Sequence, residues 1–304
     1  VDETDFEWLD PRAIDCFLTN VYRVERLATG MRWTEGPVWF ADQNCLLWSD
    51  VPGNRMWRWT EDGHVDVFRA PSGHANGNTR DREGRLVTCE HQNRRVSRTE
   101  YDGRIITLAD CFEGKRFNSP NDVVVKSDGS VWFSDPDYGI MTDYEGGRAD
   151  SELGCCCIYR IDGQTGGVSR VADGYVRPNG LAFSQDEKLL YVAESGGSHT
   201  PGAPLKINVH SVLDDSRLGP ASLFADFGDV VPDGFRIDDR GYLWSSAGKA
   251  IHVYAPDGMP VGRIRMPENV ANLAFGGCRR NRLFITAGTS LYAVYTAARG
   301  IQIP

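Results

Sequence analysis

The 304-residue chain has no apolar run approaching the ~20 residues that span a bilayer, which argues against a membrane helix. It also lacks a basic stripe. Lys and Arg total 33 against 42 Asp and Glu, a formal charge of −9. The densest basic region, Arg80, Arg82, Arg85 and Arg94–Arg95, is interrupted by acids. A nucleic-acid partner is therefore not expected. The opening VDETDFEWLD is acidic and has neither the cationic nor the apolar segment of a secretory signal. The eight cysteines show no zinc-finger spacing. Three of them are consecutive, Cys155–Cys157, and neighbours on a strand point to opposite faces. Reduced cysteines packed as small hydrophobes are the expectation, with a disulfide through Cys16 or Cys111 as the alternative. That favours the cytoplasm, or the periplasm had a signal segment preceded residue 1.

What the chain does have is a recurring turn. It reads TEGPVW at Thr34–Trp39, HANGNT at His74–Thr79 and SPNDVV at Ser119–Val124. It returns as RPNGLAF at Arg177–Phe183 and VPDGFRI at Val231–Ile237, with a weaker copy, ENVANLAF, at Glu268–Phe275. Each copy introduces a strand-like run, a DG- or EG-type turn and a second strand-like run. A strand-rich repeat of roughly 40–50 residues is the mark of propeller blades. The longer intervals contain polar, glycine-rich insertions at Met141–Gly154 and Ser195–Leu205. Third strands follow at Ile158–Asp162, Ile207–Val212 and Ile251–Pro256. No room is left for long helices.

The expected fold is all-β, a six-bladed β-propeller. Residues 1–20 would form an N-terminal arm, with a short helix or irregular stretch at Pro11–Phe17. Residues 21–304 would form the single propeller domain. The last copy is short of one strand, and Val21–Leu27 is expected to complete it. The ring would then be closed by an N-terminal strand that removes the free edges of an open array. Nothing in the repeats demands a partner, so a monomer or weak homo-oligomer is expected. Trp39, Trp48, Trp132 and Trp244 fall at strand positions suited to packing between blades.

Blade topology places the repeated turns at one mouth of the axis. Glu35, Asn76, Asn121, Asn179 and Asp233 would ring it, joined by second-strand ends such as Glu90–His91 and Asp135–Pro136. Asn, Asp and Gly are also ordinary turn residues, which hydrogen-bond their own backbone or tolerate positive φ. Convergence of several copies, and a Glu in the first, favours chemistry over turn structure alone. Oxygen donors from Glu35, Asn121, Asn179 and Asp233 suit a hard cation such as Ca²⁺, which takes about six to eight oxygen ligands. Such an ion could polarise a carbonyl as a Lewis acid.

Taken in order, EGPVW, ANGNTRDREGRLVTCEH, FNSPNDVVVKSDGSVWFSDPDYG, RPNGLAFSQDEKLLYVAES and VPDGFRIDDRGYLWSS resemble the SMP-30/gluconolactonase/luciferin-regenerating-enzyme-like family, with bacterial gluconolactonases nearest. The resemblance runs from about Tyr22 to the C-terminus. It implies a divalent ion, Ca²⁺ first and Zn²⁺, Mg²⁺ or Mn²⁺ as alternatives, held by Glu35, Asn121, Asn179 and Asp233. It also implies hydrolysis of a lactone, a sugar lactone such as glucono-1,5-lactone foremost. Asp233 is the candidate general base or water-orienting group, unless it serves only as a ligand.

Substrate contacts are expected from Asn76, Asn78, Glu90, His91 and Arg116, with His74, Asn118, Asp135, Tyr138 and Glu194 as lesser candidates. Two other classes compete. One is a noncatalytic calcium-binding propeller acting as an interaction module, since fold does not fix function. The other is a phosphotriester or aryl-ester hydrolase, which would use the same polarising site.

Overall fold

Short β-branched and aromatic runs separated by tight turns fold as antiparallel sheets, and this chain is built almost wholly from them. The structure is a computed structural model that describes residues 5–20, 23–214 and 216–301. Among the described residues, six sheets of at least four strands succeed one another along the chain. Their inner strands are Thr34–Phe40, Ala75–Arg80, Val123–Val125, Pro178–Phe183, Pro232–Ile237 and Val270–Gly276. Each pairs with the strand that follows it in sequence, and the sheet steps outward from there. A two-stranded hairpin, Cys111–Phe112 with Lys115–Arg116, interrupts the passage from the second blade to the third. No helix among the described residues is long and apolar enough to cross a membrane.

Most of the inner strands share a defect. Register shifts between Ala75 and Asn78, between Pro178 and Leu181, and between Pro232 and Phe235. In each case the extra residue belongs to a polar–glycine pair: Asn76–Gly77, Asn179–Gly180 and Asp233–Gly234. In the first blade the shift follows Glu35 and contains Gly36. A β-bulge bends the strand and re-aims one side chain. In these four blades the repeated turn of the sequence is therefore an inner-strand bulge, whereas in the third Asn121–Asp122 precedes a strand that pairs without a shift.

Aromatic side chains wedge the blades apart farther from the axis. Trp39 stacks on Phe284 of the sixth blade with ring centroids 5.3 Å apart. Trp132 meets Phe183 of the fourth blade edge-on at 5.4 Å, and Trp244 meets Phe275 of the sixth at 5.5 Å. Trp48 stacks instead on Trp57 of its own blade. All eight cysteines are free thiols.

The expected closure needs correction. Val21 and Tyr22 lie outside the described residues, and the strand that forms is Glu25–Thr29. It pairs with Ser290–Tyr295 as the outermost strand of the last blade. No β-ladder among the described residues joins one blade to another, so each sheet remains open and keeps its own edges. Side-chain packing between sheet faces holds the ring together. A strand added at the rim of one blade cannot remove the free edges of the others.

The N-terminal segment packs on the fifth blade. Phe6–Trp8 adds a strand beside Pro260–Arg265. A 3₁₀ turn at Pro11–Asp15 follows, capped by Asp10, whose side chain accepts from Arg12 N at 2.9 Å. It delivers Phe17, 1% exposed, among Phe6, Trp8 and Trp244 at ring separations of 5.2, 5.6 and 5.9 Å. Phe17→Ala should lower stability by about 3–5 kcal/mol. Urea unfolding should show an earlier midpoint; an unchanged one would mean that the segment contributes no packing.

Candidate functional site

The bulges of four blades, and the turn before Val123–Val125 in the third, bring side chains to one cavity of about 740 Å³. Glu35, Asn76, Asn121, Asn179 and Asp233 all line it. The strands that carry them approach closely. A Cβ on Gly36 would lie 2.1 Å from the Asn76 carbonyl oxygen, and one on Gly180 would lie 2.3 Å from that of Asp233. Only glycine fits there, so the residue before it is held at the axis by its neighbour's backbone.

The cavity floor is crowded with carboxyl groups. Glu35 Oε2 accepts from Gly36 N at 2.8 Å and from Asn272 Nδ2 at 3.2 Å. The same Asn272 nitrogen lies 3.5 Å from Asp122 Oδ2, and Arg236 Nη1 approaches that oxygen to 3.7 Å. Burial pushes the Glu35 carboxyl up to about 8, with repulsion from Asp122 adding to it. Burial also raises Asp122, against the pull of Arg236. Asp233 keeps a partly exposed face, yet burial, Glu35 and Asp122 drive its pKa well up. Asn179 donates to the Asp233 carboxylate and partly offsets this.

The calcium expectation is corrected here. Among the described residues no three His, Cys, Asp or Glu side chains form a group that could hold a metal ion. Of the expected ligands only Glu35 and Asp233 are carboxylates, and Glu35 Oε2 already accepts the two hydrogen bonds above. This donor set falls short of the oxygen shell a hard cation takes. The same holds for Zn²⁺, Mg²⁺ and Mn²⁺.

The expected substrate contacts divide by position. Asn76 faces the cavity, with His91 directly behind it at 3.1 Å. Asn78, two residues along the same bulged strand, turns into the protein. Its Nδ2 donates to Gly36 O, Ser49 Oγ and Asn76 O, and its Oδ1 accepts from Thr88. Glu90 is held by Ser97, Asn93 and Arg95. Arg116 is exposed on the hairpin and donates to Asn93 O. Asn118 and Asp135 hydrogen-bond each other below the third-blade turn.

Several groups at the site escaped the sequence reading. Asn272 occupies the variable position of the weak sixth copy, and that alignment was the available signal. Asp122 stands where most other copies have glycine. Glu145 lines the cavity from the first insertion. Arg177 ties the segment leading into the first insertion to the second insertion: it holds Asp137 bidentately at 2.7 and 3.1 Å and donates to Thr200 Oγ1 at 2.7 Å. Tyr138 Oη and Ser198 Oγ, 3.1 Å apart, join the same loops.

A larger cavity, about 1050 Å³, opens at the opposite end of the inner strands. It gathers Arg80, Arg82, Glu187 and Arg236 among apolar strand ends, and Arg82 is paired with Glu187 at 2.9 Å. None of the expected site residues lines it.

The geometry defines a propeller with a polar axial cavity built from the repeated turns. Residues 33–289 match the SMP-30/Gluconolactonase/LRE-like region, and the chain belongs to that family. It is 33% identical to a gluconolactonase of Zymomonas mobilis, over 94% of this chain and 85% of that one. It is 28% identical to a pentonolactonase of Haloferax volcanii, over 85% and 82%. Among solved structures, a gluconolactonase from Xanthomonas campestris superposes with a TM-score of 0.89 at 37% identity, covering 96% of each chain.

His91 gives the site a pH signature. The ring is fully buried, and burial pushes its pKa from 6.5 down to about 4. Between those values the unfolded chain binds the proton and the folded chain does not. The stability due to the neutral ring is complete above pH 6.5 and is lost as pH falls toward 4, to a total of about 3 kcal/mol. Urea titrations of wild type and His91→Gln should therefore converge or cross as pH falls through this window. A pH-independent difference between the two would refute the assignment.

Proposed function

We propose that the chain is a gluconolactonase-like hydrolase that opens the ring of a sugar lactone, glucono-1,5-lactone being the first candidate. The observation that carries this reading is the convergence of Glu35, Asn76, Asn121, Asn179 and Asp233, from five blades, on one cavity. A volume of about 740 Å³ lies within the usual ~300–1,000 Å³ of small-molecule sites. The family relationship and the activities for which its relatives are named support the same class of reaction.

Lactone hydrolysis needs a water made nucleophilic, a base for its proton, and donors for the oxyanion that forms at the carbonyl. Asp233 fills the role of base in this proposal. Its carboxylate is oriented by Asn179 and its backbone N donates to Ser246 Oγ at 3.1 Å, so its position is set from two sides. The proton of the attacking water passes to Asp233 as the oxygen adds to the carbonyl carbon. It then moves to the ring oxygen as the C–O bond breaks, leaving the hydroxy acid. The Asn121 amide, which lines the same cavity from the third blade, is the candidate donor to the carbonyl oxygen. Glu35, tied to Gly36 and Asn272, shapes the floor.

The test is proton-release turnover on glucono-1,5-lactone, a pentonolactone and an unsubstituted lactone, with a phosphotriester and an aryl ester alongside and with divalent salts both present and absent. Lactone turnover well above the spontaneous rate is expected. No turnover on any lactone would sink the proposal, and turnover confined to the esters would move it to another class. Asp233→Asn should lower kcat by about 10²–10⁴-fold on the lactone with unfolding unchanged; near-normal kcat would remove Asp233 as the base.

A further inference from the structure

The second-blade wall of the cavity holds a buried acceptor that the protein leaves unused. Asn76 is 5% exposed, and its Oδ1 has no hydrogen-bond partner. Its backbone is clamped, since Asn76 O accepts from Ser49 Oγ at 2.7 Å and from Asn78 Nδ2 at 3.0 Å. The side chain is clamped at its nitrogen, with Nδ2 lying 3.1 Å from His91 Nε2. An amide nitrogen only donates, so this contact needs a lone pair on Nε2. The other ring nitrogen, Nδ1, faces the Glu145 carbonyl at 3.1 Å. A carbonyl only accepts, so Nδ1 must carry the proton. Both contacts demand the same neutral tautomer, and burial of the ring keeps it neutral. Turning the amide over would set Oδ1 against the Nε2 lone pair, with no proton between them.

The amide therefore has one available orientation, and the atom left without a partner, on a residue that lines the cavity, is an acceptor. A lactone carbonyl or ring oxygen cannot satisfy it; a hydroxyl can. Buried polar groups are rarely left unpaired, because the missing bond is costly.

We propose that Asn76 Oδ1 accepts a hydrogen bond from a ring hydroxyl of the substrate, and that His91 is the positioning residue that keeps the amide turned this way. The proposal rests on the lactone-hydrolase reading and assigns to one residue the preference of that site for hydroxylated rings. An unsubstituted lactone of the same ring size leaves Oδ1 empty. A site built to bond a hydroxyl discriminates strongly against the analogue that lacks it. The Glu145 carbonyl belongs to the first insertion, so the same chain of contacts fastens that loop to the cavity wall.

The experiment compares kcat/KM for glucono-1,5-lactone and δ-valerolactone in wild type, Asn76→Ala, His91→Leu and His91→Gln, with thermal melts confirming that each variant folds. Asn76→Ala should lose roughly ten- to a hundredfold more kcat/KM on the hydroxylated lactone than on δ-valerolactone. His91→Leu should lose discrimination in the same direction. His91→Gln, whose Oε1 can accept from Asn76 Nδ2, should retain most of it. ¹⁵N NMR of the wild type should show His91 protonated on Nδ1; protonation on Nε2 would overturn the positioning role without reference to turnover. Equal losses on both lactones in Asn76→Ala would overturn this proposal alone. A wild-type chain that hydrolyses no lactone would sink the lactone reading and this proposal with it.

Discussion

The structure depends on how closely the inner strands approach one another at the axis. The Asn76 carbonyl sits where a Cβ of Gly36 would be, the Asn121 carbonyl where that of Gly77 would be, and the Asp233 carbonyl where that of Gly180 would be. Gly77 N also donates to Asn121 O at 2.7 Å, a backbone hydrogen bond from one blade to the next. Farther out, the spacing is set by Trp39 on Phe284, Trp132 on Phe183 and Trp244 on Phe275. Small at the axis and bulky outside, each blade is a wedge, and wedges of this shape close a circle without a shared ladder. The glycine that permits the approach also fixes where the preceding residue points. Fold and site thus rest on the same contacts.

That closeness has an electrostatic consequence. Carrying polar side chains to one axis places Asp122 where it raises the pKa of Glu35, and both where they raise that of Asp233. Like charges so near, with little solvent, are unfavourable unless donors are supplied. The blades supply them in place. Asn272 of the sixth blade lies between Glu35 and Asp122, Arg236 of the fifth reaches toward Asp122, and Asn179 donates to Asp233. This explains why the sixth copy of the turn keeps an amide although its sequence has drifted most. It also explains why the donor set is poor for a cation: part of its oxygen capacity is already used by amides.

The blades were legible in the sequence because their signals are local. Alternation, DG turns and recurring polar–glycine pairs each act within a few residues, and together they marked every inner strand. Closure was not legible. Whether a strand pairs at an outer edge or seals a ring depends on partners far away in the chain, and Glu25–Thr29 settled on the rim of the last blade. The cavity residues were legible as a set, while their division of labour was not. Asn76 and Asn78 look equivalent in HANGNT, yet the bulge between Ala75 and Asn78 sends one to the cavity and the other into the interior. Glu90 reads as a free carboxylate until Arg95 and Ser97, on the adjacent strand, are seen to hold it. Facing direction at a bulge and capture by a neighbouring strand are both decided by tertiary contacts.

The rim is coupled to this axis through one strand. Arg177 directly precedes Pro178–Phe183, the inner strand that supplies Asn179. Its guanidinium binds Asp137, just ahead of the first insertion, and Thr200 of the second, while Asn179, two residues on, holds the Asp233 carboxylate. A displacement of this strand would move the loops over the cavity and the amide within it together. The second blade makes a parallel link, from Asn76 through His91 to the Glu145 carbonyl. Loops of irregular sequence are thereby fixed by residues the blades hold rigid. A cavity covered by mobile loops could still admit a hydroxylated ring, but it could not hold donors and acceptors in one pattern. The placement of Arg177 and His91 lets a propeller with long insertions keep a polar wall of definite sense, and the sense of that wall decides which ring substituents can be satisfied.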